Sequence, residues 1–152
     1  MDNTDIIDTL NHLVSTCRGD EQGFQRCAAN ASHPRMQAFF EQRAALCATA
    51  AAELQRMVAQ SGGRIERADS AAAASSGASP IADTFSPSSA LGLIDECERR
   101  ESRTLERYLE AVEEPLPALL RMQIERQCEV VKNHCRELRQ LREQTVRETA
   151  AR

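Results

Sequence analysis

Leu13-Val14-Ser15-Thr16-Cys17-Arg18-Gly19-Asp20-Glu21 reads as one face of a helix, and the pattern returns as Leu93-Ile94-Asp95-Glu96-Cys97-Glu98-Arg99-Arg100-Glu101. Each copy places a pair of aliphatic residues, then a cysteine, then an acidic residue at helical spacing. Working outward, Phe40-Glu41-Gln42-Arg43 is matched by Ile124-Glu125-Arg126-Gln127, and Glu53-Leu54 by Glu137-Leu138. Two copies of a helix pair describe a duplicated helical hairpin.

The apolar period of the flanks extends these segments to four helices. The first runs over 4–29 through Ile6, Ile7, Leu10, Leu13, Val14, Cys17, Phe24 and Ala28. The second, 33–60, opens at Ser32-His33-Pro34 and closes at Gly62-Gly63, with Met36, Phe39, Phe40, Cys47, Ala51, Leu54 and Met57 on its stripe. The third covers 88–113, Glu114-Pro115-Leu116-Pro117 forms a turn, and the fourth covers 117–148. Residues 62–87 are small and polar (Ala71–Ala74, Ser75, Ser76, Gly77, Ser79, Pro80), a flexible crossover that a bundle needs when two successive helices run in the same direction.

The chain has 152 residues, enough for one domain with a buried core. With no Trp, one Tyr and four Phe, that core is aliphatic. A net charge of −4 supplies no basic footprint for nucleic acid, and no apolar run is long enough to span a membrane. The opening Met1-Asp2-Asn3-Thr4-Asp5 is unlike a secretion signal, so a cytoplasmic location is expected, with the six cysteines as thiols.

Gly-Asp-Glu-x-Gly-Phe, here Gly19–Phe24, and Phe-Phe-Glu-x-Arg-Ala-Ala, here Phe39–Ala45, resemble motifs of an uncharacterised bacterial family of ferritin-like four-helix proteins. The resemblance spans both hairpins and leaves out the crossover. It implies an all-α, ferritin-like four-helix bundle. Such bundles hold two iron ions when each of two helices supplies a Glu and each of the others a Glu-x-x-His, all facing inward.

Helical phase tests that pattern. Glu21 and Glu101 fall near the centres of their stripes, whereas Glu41 and Glu125 lie roughly 110–120° away, toward solvent. Ala44 and Cys128 stand where the histidines belong, and Arg43 and Gln127 lean inward instead. If the first turn centres near Ala31-Ser32, Glu21 levels with Arg43, Phe24 with Phe40 and Cys17 with Cys47. A Glu21–Arg43 ion pair is therefore expected, while Glu101 levels with Gln127 and Cys128 and lacks a cation there, with Arg100 and Arg121 as the cations that could still reach in.

Cys17, Cys47, Cys97, Cys128 and Cys135 map to inward stripes and Cys27 to an edge; as free thiols they serve as small apolar fillers. Cys17 with Cys47 is the best thiolate or redox pair. His12, His33 and His134 map to the surface or the core boundary, and no glycine-rich phosphate loop is present. The arginines of the fourth helix are balanced by Glu125, Glu129, Glu137 and Glu143.

These features favour a non-enzymatic bundle, a stress-related or interaction module with a degenerate metal site, no catalytic residues and no cofactor. The alternative is a protein that binds iron, zinc or copper through Glu21, Glu101, Cys128, Cys17 and Cys47. A di-iron oxidoreductase ranks third. Neither nucleic acid nor membrane is an expected partner. The alanines of the second helix, Ala38, Ala44, Ala45, Ala48, Ala50, Ala51 and Ala52, permit close approach of a second copy, so a homodimer is a candidate assembly.

Overall fold

The computed structural model describes residues 1–64 and 89–151. They form α1 (Asn3–Asn30), α2 (Pro34–Gln60), α3 (Ala90–Glu113) and α4 (Ala118–Ala150), with no strand among the described residues. These bounds lie within two residues of the spans read from periodicity. The crossover expected over 62–87 lies, from residue 65 onward, outside the described residues. No helix among the described residues is long and apolar enough to cross a membrane.

Helix ends follow local chemistry. Asp2 caps α1 by accepting from the Asp5 N–H at 2.9 Å, and Ser89 caps α3 by accepting from the Gly92 N–H at 3.0 Å. Pro34 begins α2, where a missing N–H costs nothing, and His33 Nδ1 accepts from the Arg35 N–H. At the far end, Gly62 adopts φ 83°, so that the Gly62 and Gly63 N–H groups donate to Ala59 and Val58 carbonyls. Arg121 on α4 satisfies the last carbonyls of the preceding helix and turn, donating to Val112 O and Glu114 O.

The helices pack as two hairpins, α1 with α2 and α3 with α4, an all-α four-helix bundle. The hairpins meet chiefly through α1 and α3. Cys17 touches Tyr108, Asp20 touches Thr104 and Cys27 touches Cys97, so numbers rise along α1 as they fall along α3. Since α1 is antiparallel to both α2 and α3, the latter two run in the same direction. The end of α2 and the start of α3 therefore lie at opposite ends of the bundle, about 40 Å apart for a helix of this length.

The core is divided along its length. One apolar cluster gathers Leu10, Leu13, Val14, Leu54, Val58, Ile124 and their neighbours, and the other Phe24, Phe40, Leu93, Ile94 and Leu138. Full burial of a Leu or Phe side chain stabilises by about 1.5–3 kcal/mol, so these two clusters hold the bundle together. Between them lie the buried polar side chains Asp20, Arg43, Glu101, Thr104 and Gln127. This belt is the candidate site.

Candidate functional site in the polar belt

Arg43 on α2 is 2 % exposed, although it carries a permanent charge. Its Nε lies 3.4 Å from Glu101 Oε1 on α3, and its Nη2 donates to Glu137 Oε2 on α4 at 3.2 Å. The guanidinium also lies over the Phe39 ring, 4.9 Å from its centroid, a cation–π contact. One side chain thus joins three helices. The expected Glu21–Arg43 pair does not form. Glu21 is half-buried and accepts from Arg18 Nη1 at 3.0 Å, while Arg18 Nη2 donates to Gln55. Glu101, expected to lack a cation at its own level, has Arg43 from the other hairpin, while Arg100 pairs with Glu96 and Arg121 with the Val112 and Glu114 carbonyls.

The Arg43–Glu101 contact is a close approach of guanidinium and carboxyl without an aligned hydrogen bond. Arg43 Nε and both carboxylate oxygens of Glu101 have no hydrogen-bond partner among the described residues. Burial pushes the Glu101 carboxyl up to about 8, and Arg43 offsets this in part. Near neutral pH Glu101 therefore carries its proton much of the time.

Asp20, adjacent to Glu21, is the second buried carboxyl, and sequence reasoning missed it. It accepts from the Thr104 hydroxyl on α3, and burial raises it to about 6. Asp20 and Glu21, about 100° apart around the helix, fall on opposite sides of the line through Cys17 and Phe24, so Glu21 does not take the expected place at the centre of the stripe. Asp20 meets Thr104 on α3 and is buried, whereas Glu21 lies on the side that solvent reaches.

The next layer is a hydrogen-bond chain. Tyr108 OH donates to Gln127 Oε1 at 2.7 Å, and the Gln127 amide donates to Glu53 Oε2 at 3.0 Å and to the Ala50 carbonyl at 3.3 Å. The Cys17 sulfur lies 3.2 Å from the same hydroxyl, and burial holds the Cys17 thiol up at about 12. It is a thiol and a poor nucleophile at neutral pH. His134 is half-buried, and burial, with Arg43 adding to it, drops its imidazole to about 4, so it is neutral.

A cavity of about 180 Å³ opens beside the belt. Cys17, Asp20, Cys47, Glu101, Tyr108 and His134 line it, with Leu46 and Val130 among the apolar residues. Of the five metal-ligand candidates, Glu101, Cys17 and Cys47 come together here. Glu21 is engaged by Arg18, and Cys128 is buried in the apolar cluster with Ile124 and Leu116. No group of three or more His, Cys, Asp or Glu among the described residues is arranged to hold a metal ion. Arg43 supplies the positive charge between Glu101 and Glu137, so the side chains as placed do not fit the di-iron pattern. Glu41 and Glu125 are exposed, as their phase requires.

Cys27, placed at an edge by phase, is 4 % exposed and packs against Phe24, Ala28 and Cys97 in the second apolar cluster. The stripe of α1 is wider than one helix contact because the helix faces both α2 and α3. That width was not visible in phase alone.

None of the curated proteins matches this chain in sequence. The profile described as domain of unknown function (DUF2383) matches residues 5–114, which span α1, α2 and all of α3. The chain belongs to the DUF2383 family.

Proposed function

We propose that this chain is a ferritin-like bundle whose mid-bundle site is structural, and that it works non-enzymatically as a stress-related or interaction module. The observation that carries this reading is Arg43. A buried guanidinium lies between carboxylates from α3 and α4, at the level where a metal-loaded bundle would hold its cations. A fixed cation does the electrostatic work that a bound ion would otherwise do, and it repels a second one. The remaining polar groups are engaged with one another, Asp20 with Thr104 and Tyr108 with Gln127.

A second reading, a metal-binding protein, draws support from Cys17, Cys47 and Glu101 sharing one cavity. Reduced protein dialysed against Fe(II), Zn(II) or Cu(I), followed by elemental analysis and thermal melts, separates the two. The structural reading expects no stoichiometric ion and an unchanged melting temperature. An ion retained at one per chain, and lost in a Cys17→Ser, Cys47→Ser variant, would establish the second reading instead.

A further inference from the structure

Cys27 on α1 and Cys97 on α3 stand with their sulfurs 3.5 Å apart, both buried. They lie in the second apolar cluster and are not among the residues that line the mid-bundle cavity. Among the described residues no other pair of thiols is in hydrogen-bond contact, and Cys17 meets Tyr108 instead. A disulfide bond of about 2.05 Å requires the two sulfurs to close by about 1.5 Å. The helices already approach closely here. Gly23, one turn before Cys27, leaves the space that the Arg100 side chain of α3 fills, and Arg100 Nη1 reaches the Gly19 carbonyl at 3.5 Å.

We propose that Cys27 and Cys97 are a reversible oxidation site, forming an intrachain disulfide in response to a hydroperoxide and stapling α1 to α3. The Cys97 S–H donates to the Cys27 sulfur, and this holds the Cys27 thiol below its ordinary value while Cys97 is raised. Cys27 is thus the attacking sulfur. Its thiolate attacks the terminal peroxide oxygen, the O–O bond breaks, and the leaving oxygen takes a proton to become an alcohol, or water from hydrogen peroxide. Cys27 is left as a sulfenic acid. The Cys97 sulfur then attacks the Cys27 sulfur, the S–O bond breaks, and the hydroxyl leaves with the Cys97 proton as water. Two thiols lose two electrons and two protons, and the hydroperoxide gains them. A thiol reductant reverses the reaction. Access comes from the end of α1: Cys27 is in its last turn, and helix ends open at low free energy.

The bond would join two hairpins whose described contacts run chiefly through α1 and α3. Closing a loop of this length restricts the unfolded chain, so the oxidised form melts later than the reduced one. The test uses the full wild-type chain, treated with hydrogen peroxide, alkylated with iodoacetamide and digested without reductant. The expected result is a peptide pair linking Cys27 to Cys97, an intact monomer lighter by two hydrogens, and a melting temperature raised by several degrees that dithiothreitol restores. Cys27→Ser and Cys97→Ser should each abolish the linked peptide and the rise, while Cys17→Ser with Cys47→Ser keeps both. A link between other cysteines, a link between two chains, or Cys27 recovered as free thiol or sulfinic acid without a link would overturn the proposal. The wild-type digest decides it even if a variant fails to fold.

Discussion

The two hairpins carry matching sequences, yet their equivalent carboxylates sit in opposite surroundings. Glu21 in the first is half-buried, turned along its own helix to Arg18. Glu101 in the second is 4 % exposed, and its cation comes from the other hairpin. The partner explains the difference. Arg43 is long enough to cross from α2 to α3 and α4, and its equivalent in the second hairpin, Gln127, is a neutral amide held by Tyr108 and Glu53. A repeat in sequence therefore produced a repeat in fold and an asymmetric polar core. A buried guanidinium cannot release its charge, so Glu101 and Glu137 must answer it, whereas a carboxyl can take up a proton.

The strongest way to break the comparison is to remove the crossing side chain. Arg43→Ala should destabilise the protein by about 2–5 kcal/mol, through the void it leaves and the loss of its contacts with Phe39, Glu101 and Glu137. Chemical denaturation at neutral pH measures it, and a loss below about 1 kcal/mol would mean that Arg43 is not the link between hairpins. Arg43→Met, which keeps the volume, should recover much of the difference, because apolar replacement of a buried ion pair is often neutral.

Titration of Glu101 gives the next effect. Its carboxyl ionises near 4.5 when exposed and at about 8 in the fold, so between those values the folded state holds a proton that the unfolded state has released. Stability from this group is complete below the lower value and is lost as pH rises through the upper one, at up to about 1.4 kcal/mol per pH unit. Glu101→Gln cannot ionise and should flatten that slope, gaining on the wild type as pH rises. Parallel slopes for the two proteins across this window would show that Glu101 ionises in the fold as it does in solvent.

Smaller effects sharpen the contrast. Tyr108→Phe removes the hydroxyl that Gln127 accepts from and that Cys17 meets, leaving a buried amide oxygen short of a donor. The expected cost is about 1–3 kcal/mol, and a second change, Gln127→Leu, should recover part of it in a double-mutant cycle. If the two losses simply add, the hydroxyl and amide are not coupled. Glu21→Gln breaks a partly exposed ion pair within one helix and should cost at most about 1 kcal/mol by denaturant melt. A loss as large as that of Arg43→Ala would place Glu21 in the core after all.

Helix number, helix bounds, hairpin pairing and the burial of Cys17, Cys97 and Cys128 were legible in the sequence, because a 3.6-residue period of apolar groups and the chemistry of Asp2, Pro34 and Gly62 act within a few residues. Cys47 and Cys135, read as inward, are only half-buried. The exposed placement of Glu41 and Glu125 follows from the same period. Levels within the first hairpin were legible too: Asn3 reaches the Ser61 carbonyl across it, at the register that sets Cys17 level with Cys47. The choice between Asp20 and Glu21 was not, since both flank one stripe and the depth of each depends on which helix closes over it. Nor was the partner of Arg43, whose side chain passes the level of its own hairpin to reach the other, or the meeting of Cys27 with Cys97. Contacts between hairpins depend on how two separately amphipathic units are set against each other, and no local pattern encodes that register. Periodicity determines which face of each helix is buried; tertiary packing decides which buried group meets which.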